Sequence, residues 1–233
     1  MYIVPPTARF AQIFFMWHTG ALRTFLSATN CPKVPHSNAA QFAIGIILHM
    51  SIDKLHPIEL DWFGASLPCP PLWAMAIEND ILALRGMVGS PPISTEHDSD
   101  GSFIEGLWEA DVVELFLSNP KTGFYVEFNL GPRGAWWCCA FDSPRLRCAD
   151  GAKRINGVQT RATCLERCWD SAMSIPLKSL PNALAFDAGA TLANITFCLG
   201  RPQQFITLAD LGGGEPDFHR PDKWIPINKI LAL

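Results

Sequence analysis

Apolar and polar residues alternate strictly over residues 124–130, a period that predicts a half-buried β-strand. The alternation places Tyr125, Glu127 and Asn129 on one face of the strand and apolar side chains on the other. Apolar runs at 111–117 and 135–141 flank this segment, and both connections are short and carry Pro and Gly. The three runs are therefore predicted to form an antiparallel meander with hairpin connections.

Further strand patterns with short spacing surround this meander, and no long run has a helical period. A hairpin is predicted over residues 72–87, with its turn at 78–80, and a short helical turn around Pro181. The remaining predicted strands are 158–164, 168–176, 192–200 and 205–211. Short strands separated by turn residues predict an all-β fold, a two-layer antiparallel β-sandwich of jelly-roll-like form.

The first 58 residues differ in texture from the rest of the chain. Their apolar run at 39–50 is shorter than the roughly 20 residues of a membrane-spanning helix and begins too late for an ordinary signal peptide. We therefore expect no membrane span, although a cryptic secretory signal stays open as an alternative. The predicted organisation is an irregular N-terminal extension, residues 1–58, followed by a sandwich over residues 59–233.

Composition narrows the classes of function. Hydrophobic residues make up 48% of the chain and charged residues 17%, with a net charge of -4, which indicates a globular protein without the basic surface that nucleic acid requires. The eight cysteines contain no zinc-type spacing, and the adjacent Cys138 and Cys139 would point to opposite faces of a strand. We expect mostly free thiols, which favours the cytoplasm, with a secreted or periplasmic location as the alternative.

Glu114 stands on a largely apolar strand, where a carboxylate needs a reason to be buried. The run from Leu107 through Trp108 and Glu114 to Leu117, followed by 125–129 and by 132–137, is similar to the core of family 9-like carbohydrate-binding modules. These modules are grouped with the DOMON-like β-sandwiches. The similarity extends to 169–177 and 194–227.

The resemblance implies a non-catalytic module that binds a mono- or oligosaccharide and is linked to polysaccharide catabolism. Trp108 and Glu114 have the spacing of the family's stacking Trp and hydrogen-bonding Glu, and Arg133 lies close to the family's sugar-contacting Arg. Trp224 would supply a second platform, although Pro221 stands where the family has Asn. The candidate ligand-binding residues are Trp108, Glu114, Arg133 and Trp224, with Glu127, Asn129 and His219 as additional polar groups.

The loop before the meander carries Glu96, Asp98 and Asp100, three carboxylates within five residues. Oxygen ligands of this type suit a hard cation, and the resemblance implies calcium as a cofactor because relatives bind it structurally. The alternative is an ordinary solvated loop.

Two further functions stay open. Glu114 and Glu127 come from neighbouring strands and could serve as the two carboxyl groups of a glycoside hydrolase. As neighbours they would also repel each other, so we expect a coupled pair with at least one raised pKa. The third class is a haem-binding redox domain of the DOMON-like type, whose axial ligands would come from Met50, Met75, Met87, Met173, His97 and His219.

The tryptophans have an alternative role in the core. We expect Trp136, Trp137 and Trp169 to be core residues, whereas Trp108 is equally consistent with the core and with a ligand platform.

Overall fold

Twelve β-strands in two antiparallel sheets dominate the part of the chain that the computed structural model describes, residues 55–233. The strands are β1 His56–Pro57, β2 Leu72–Glu78, β3 Ile81–Val88, β4 Val112–Ser118, β5 Tyr125–Leu130, β6 Trp136–Ser143, β7 Leu146–Ala152, β8 Gln159–Leu165, β9 Cys168–Pro176, β10 Leu192–Leu199, β11 Gln204–Thr207 and β12 Ile225–Pro226. The predicted extension, apart from residues 55–58, lies outside the described residues.

Helices are short in this structure. One helix, α1, covers Ile227–Ile230, and single 3₁₀ turns cover Leu107–Glu109, Leu177–Ser179, Asn182–Leu184 and Pro221–Lys223. Within residues 55–233, no helix reaches the length and apolar character that a membrane span would need.

The two sheets have five and seven strands. The first sheet has the order β1-β2-β3-β9-β8. The second has the order β11-β10-β4-β5-β6-β7, and β12 pairs with β10 beside β11. The meander predicted from the alternation is confirmed as β4-β5-β6 at the centre of the second sheet, and the all-β sandwich is confirmed as the fold class.

Local turn chemistry explains which strands the sequence predicts. In the β2–β3 hairpin, Asn79 and Asp80 both have positive φ, 50° and 62°, which suits the two-residue turn of a twisted hairpin. β9 has the predicted bounds. β7 was not predicted, because it is a mostly exposed edge strand with no apolar alternation.

The main core lies between the sheets. The second sheet contributes the faces of β4, β5 and β6 that carry Leu115, Phe128 and Trp136, and the first sheet contributes residues such as Leu84 and Trp169. All five are fully buried, so Trp136 and Trp169 are core residues, as predicted.

A second apolar cluster covers the outer face of the seven-stranded sheet. Phe116, Tyr125 and Trp137 belong to it, and the segment 209–224 packs over them with Leu211, Phe218 and Trp224. This cluster buries the outer face of the sheet as well as the inner one, so β4 and β5 are buried at every position, including the polar residues Glu114, Glu127 and Asn129 on the outer face.

The cysteines follow the same division. Cys138 faces the main core and Cys139 the outer cluster, as the strand geometry predicted. The seven cysteines between residues 55 and 233 are free thiols; Cys31 lies outside the described residues.

The two sheets approach each other closely at Gly86, where there is no room for a side chain. A Cβ atom built on Gly86 would lie 2.9 Å from Cγ1 of Val113 and 3.3 Å from the Phe197 ring, both on the opposite sheet. We expect Gly86→Ala to lower the free energy of unfolding by about 1–3 kcal/mol, because overpacking a closed core forces side chains out of their rotamers. Chemical denaturation measures the change. Gly189→Ala, at an exposed site with negative φ, is the control, and an equal loss in both variants would contradict the assignment.

Candidate functional site: a cavity on the outer face of the seven-stranded sheet

A cavity of about 300 Å³ opens on the outer face of the second sheet. This volume lies at the lower end of the range of small-molecule sites. Its polar lining consists of Glu114, Glu127, Gln203, Arg145, Arg147 and His219. Its aromatic lining consists of Trp108, Phe116, Trp137, Phe141, Phe205 and Phe218.

Two buried carboxyl groups line the cavity. Glu114 on β4 and Glu127 on β5 are 3% and 5% exposed. In the β4–β5 register Glu114 stands opposite Asn129, and Glu127 stands opposite Phe116. The two glutamates are thus diagonal neighbours on one face rather than directly opposed, a separation that long side chains can span.

Each glutamate accepts one side-chain hydrogen bond, Glu114 from the neighbouring strand β10 and Glu127 from its own strand β5. The Thr196 hydroxyl donates to Oε2 of Glu114 at 2.7 Å, and the Asn129 amide donates to Oε1 of Glu127 at 2.8 Å. Oδ1 of Asn129 is buried and has no hydrogen-bond partner among the described residues. Asn129 therefore holds Glu127 in place and keeps one unused acceptor.

Burial raises the pKa of Glu114 well above its ordinary value, and the charge of Glu127 raises it further against the opposing effect of Thr196. Burial also raises the pKa of Glu127, although the bond from Asn129 and the charges of Arg147 and Arg145 act in the opposite direction. Both carboxyl groups therefore have a raised pKa, in the direction expected for neighbouring buried acids. Near neutral pH the pair retains a proton that two exposed glutamates would have lost.

His219 contacts this pair from the C-terminal segment. Burial and the charge of Arg145 lower the pKa of His219 to about 4, so the ring is neutral near pH 7. The Tyr125 hydroxyl accepts the backbone N–H of Arg145 at 3.0 Å and lies 2.7 Å from Nδ1. When that hydroxyl donates its own proton to Nδ1, the ring proton is on Nε2, which lies 3.8 Å from Oε2 of Glu127.

The cationic groups of the cavity come from the β6–β7 hairpin. Arg145 forms an ion pair with Asp217 at 2.8 Å, and Arg147 forms one with Glu105 at 2.5 Å. The Arg147 guanidinium also lies 5.1 Å from the centre of the Trp137 ring. Sequence reasoning missed both arginines, because no apolar alternation identifies β7. The only available signal was a pair of arginines two residues apart after a Pro-containing turn.

Trp108 and Glu114, the two residues with the family's spacing, both line the cavity. The 3₁₀ turn Leu107–Glu109 presents Trp108, whose ring is half-buried and packs edge to face on Trp137 at 5.0 Å between centroids. Gln203 donates from Nε2 to the Trp108 carbonyl at 2.8 Å, which fixes the turn to the β10–β11 loop. Gln203 is a further lining residue that the sequence did not single out.

Arg133 and Trp224 do not line the cavity. Arg133 is exposed in the β5–β6 turn, beyond the strand ends. Trp224 is 4% exposed and packs against Phe116 and Tyr125, with its indole N–H donating to the Phe218 carbonyl. Trp224 therefore supports the covering segment from within the apolar cluster and presents no open face. Trp137, which was expected in the core, is buried yet lines the cavity.

The three carboxylates of the predicted calcium site do not converge. Asp98 is 7% exposed and accepts the backbone N–H groups of Ala135 and Arg133, whereas the side chain of Glu96 is exposed. Asp100 accepts a backbone hydrogen bond from Ala162. Over residues 55–233 no group of three or more His, Cys, Asp or Glu side chains could hold a metal ion. Asp98 instead closes the β5–β6 turn.

The candidate haem ligands lie in different parts of the structure and do not share one site. Met75, Met87 and Met173 are buried hydrophobic residues of the sandwich, and His97 is exposed in the loop before the meander. Only His219 of the described candidates lines the cavity, and Met50 lies outside the described residues.

The raised pKa of Glu114 should make the free energy of unfolding depend on pH. A carboxyl group whose pKa is higher in the folded state binds more protons there than in the unfolded chain, so its contribution to stability falls as pH rises above about 4.5. Glu114→Gln removes this penalty and keeps an acceptor for Thr196. We expect the variant to gain roughly 1–3 kcal/mol relative to wild type between pH 5 and pH 9.

Denaturation of both proteins at several pH values measures this difference, and the comparison cancels the opposite pH dependence of His219. Glu96→Gln, at an exposed site, is the matched control. Parallel curves for wild type and Glu114→Gln would show that Glu114 is ionised in the folded protein at all these pH values.

Comparisons with known proteins concern the fold. No protein-family model matches the chain, and no curated protein matches its sequence. Among solved structures it is similar to a candidate carbohydrate-binding protein from Bacteroides uniformis, with a TM-score of 0.59, 16% identity, and coverage of 83% of this chain and 92% of that one.

Two matches are to a family 9 carbohydrate-binding module from Caldicellulosiruptor kristjanssonii. Its complex with glucose gives a TM-score of 0.45 at 11% identity, covering 80% of this chain and 84% of that one. Its complex with cellotriose gives 0.43 at 13%, covering 69% and 73%. The chain shares its β-sandwich fold with the Bacteroides protein.

Proposed function

We propose that the cavity on the outer sheet face binds a carbohydrate and that the domain is a non-catalytic sugar-binding module. The observation that carries this proposal is the joining of aromatic walls and buried carboxyl groups in one small cavity. Sugars have apolar C–H faces and hydroxyl edges, so a site that recognises them needs both kinds of surface.

The aromatic surface is centred on Trp108. Its half-buried ring is held by Trp137 on one side and by the hydrogen bond from Gln203 to its backbone. A fixed indole loses little conformational freedom when a sugar ring stacks on it, so the apolar contact is not offset by an ordering cost.

The polar surface is formed by Glu114, Glu127 and His219. Each glutamate keeps one oxygen atom that neither Thr196 nor Asn129 occupies, and Nε2 of His219 lies 3.8 Å from one of these oxygens, Oε2 of Glu127. In a partly dry cavity these groups would hydrogen-bond sugar hydroxyls with defined donor and acceptor roles.

The size of the cavity favours a terminal sugar residue. A volume of about 300 Å³ accommodates one sugar ring, so the rest of an oligosaccharide would extend past the rim. The fold shared with the Bacteroides protein supports the proposal only as an analogy, because unrelated functions use the same folds.

Trp108→Ala tests the proposal. We expect the variant to bind every sugar ligand about tenfold or more weakly, because the stacking surface is lost without a change in hydrogen bonding. Calorimetry on the full chain with mono- and oligosaccharides at millimolar concentration gives the affinities. Phe63→Ala removes an aromatic ring that is 75% exposed and outside the cavity lining, and it should leave binding unchanged.

Absence of binding to all these sugars by the wild-type protein would overturn the proposal. If Trp108→Ala instead unfolds the protein, as circular dichroism would show, Trp108 is a core residue and not a platform.

A second candidate function, glycoside hydrolysis, is favoured by the proton that the acid pair, Glu114 and Glu127, retains. A pair that retains one proton offers an acid and a carboxylate in the same cavity, the two roles that glycosidases need. Release of nitrophenol from a panel of nitrophenyl glycosides, lost in both Glu114→Gln and Glu127→Gln, would support catalysis. If the wild-type protein releases no nitrophenol, glycoside hydrolysis is contradicted and sugar binding remains as the proposed function.

A further inference from the structure

The acid pair is the one charged group of the cavity that has no counter-ion of its own among the described residues. The guanidinium groups of Arg145 and Arg147 are paired with Asp217 and Glu105, outside the pair. Their charges favour ionisation of Glu127, but burial outweighs them. A ligand that brings a positive charge would therefore find two carboxyl groups ready to accept it.

The other titratable groups around the pair supply no cation. His219 is neutral near pH 7, because its pKa is about 4. Burial raises the thiol pKa of Cys198 well above its ordinary value and that of Cys139 to about 11, so both stay uncharged. Tyr125, next to His219, also stays a neutral phenol, because burial raises its pKa.

The arrangement of acceptors matches an ammonium group. Thr196 occupies one oxygen of Glu114, and Asn129 occupies one oxygen of Glu127, which leaves one oxygen on each carboxylate. Oδ1 of Asn129, bonded through its own amide to Glu127 and opposite Glu114 in register, is buried without a partner in the described structure. An ammonium has three N–H donors and no acceptor, whereas a hydroxyl donates only one hydrogen bond.

We propose that the cavity selects sugars that carry a protonated amine, with the ammonium group seated between Glu114 and Glu127 and the sugar ring against Trp108. This inference rests on the proposed carbohydrate-binding function and names the class of sugar. The bound ammonium replaces the proton that the two carboxyl groups share, and that proton passes to solvent. Over residues 55–233 no group of three or more His, Cys, Asp or Glu side chains could hold a metal ion, which favours an organic cation.

Matched sugars separate charge from ring shape. The probes are glucose and galactose, each compared with its 2-amino, 2-acetamido and uronate derivative, titrated into the full chain by calorimetry at pH 7. We expect at least one amino sugar to bind about tenfold or more tightly than its parent, since a charge-assisted hydrogen bond in a dry site is much stronger than a neutral one. The acetamido sugars lack the charge and the uronates oppose it, so both should bind more weakly than the amino sugar.

Proton release provides a second readout. Binding enthalpies in phosphate and in Tris buffer should differ for the amino sugar by the heat of transferring a proton, and should agree for the neutral sugar. The affinity for the amino sugar should rise with pH as long as its amine stays protonated, because the acid pair then has less of its proton to lose.

Glu127→Gln tests the proposed ammonium-binding position. In this variant the affinity for the amino sugar should fall further than the affinity for the neutral sugar, so that the preference drops to about threefold or less, because one carboxylate of the two is gone. Glu96→Gln, exposed and outside the cavity lining, should keep the full preference. Thermal unfolding confirms that both variants are folded, and Glu114→Gln is the second variant if Glu127→Gln fails to fold.

The outcomes are distinct. If amino and neutral sugars bind equally, or if Glu127→Gln keeps the preference, the selection for an amine is overturned and the proposed sugar-binding function stands. If no sugar binds, both proposals are overturned.

Discussion

The burial of Glu114 and Glu127 on an otherwise apolar sheet face is the constraint on which the candidate site depends. An ionised carboxyl group loses most of its hydration when it is buried, so it must find donors, a counter-charge or a proton. The sheet supplies one neutral donor to each glutamate, from Thr196 and from Asn129. The nearby arginines, Arg145 and Arg147, form ion pairs with other carboxylates. The unfavourable free energy of burying two carboxylates is therefore reduced because Glu114 and Glu127 together retain a proton.

The outer face of the seven-stranded sheet has to be covered for this burial to occur. The segment 209–224 provides the cover, and Trp62 extends it from the N-terminal side. The indole N–H of Trp62 donates to the Gly214 carbonyl, and Arg220 donates to the Leu211 and Gly213 carbonyls, so the loop containing three successive glycines is tied down at several points. The cavity is the part of the face that this cover leaves open.

Buried tryptophans with different roles show why residue type alone does not identify a binding site. Trp137 and Trp224 are almost equally buried, yet Trp137 forms a wall of the cavity and Trp224 supports the covering segment. Likewise Asp98, which suits a cation by chemistry, closes a turn by accepting backbone N–H groups. In each case the contacts of the side chain, and not its chemistry, decide the role.

Local sequence determined most of the longer strands and the faces of their residues. The period of two over 124–130 settled that Glu127 and Asn129 share a face, and the Asn79-Asp80 turn settled the β2–β3 hairpin, because both depend only on neighbouring residues. Trp108 and Glu114, which the family resemblance singled out on one stretch of chain, both line the cavity. By contrast, Arg145, Gln203 and His219 reach the cavity from a hairpin, a loop and the C-terminal segment. Their positions depend on sheet order and on how 209–224 folds back, which are long-range contacts that no local pattern encodes.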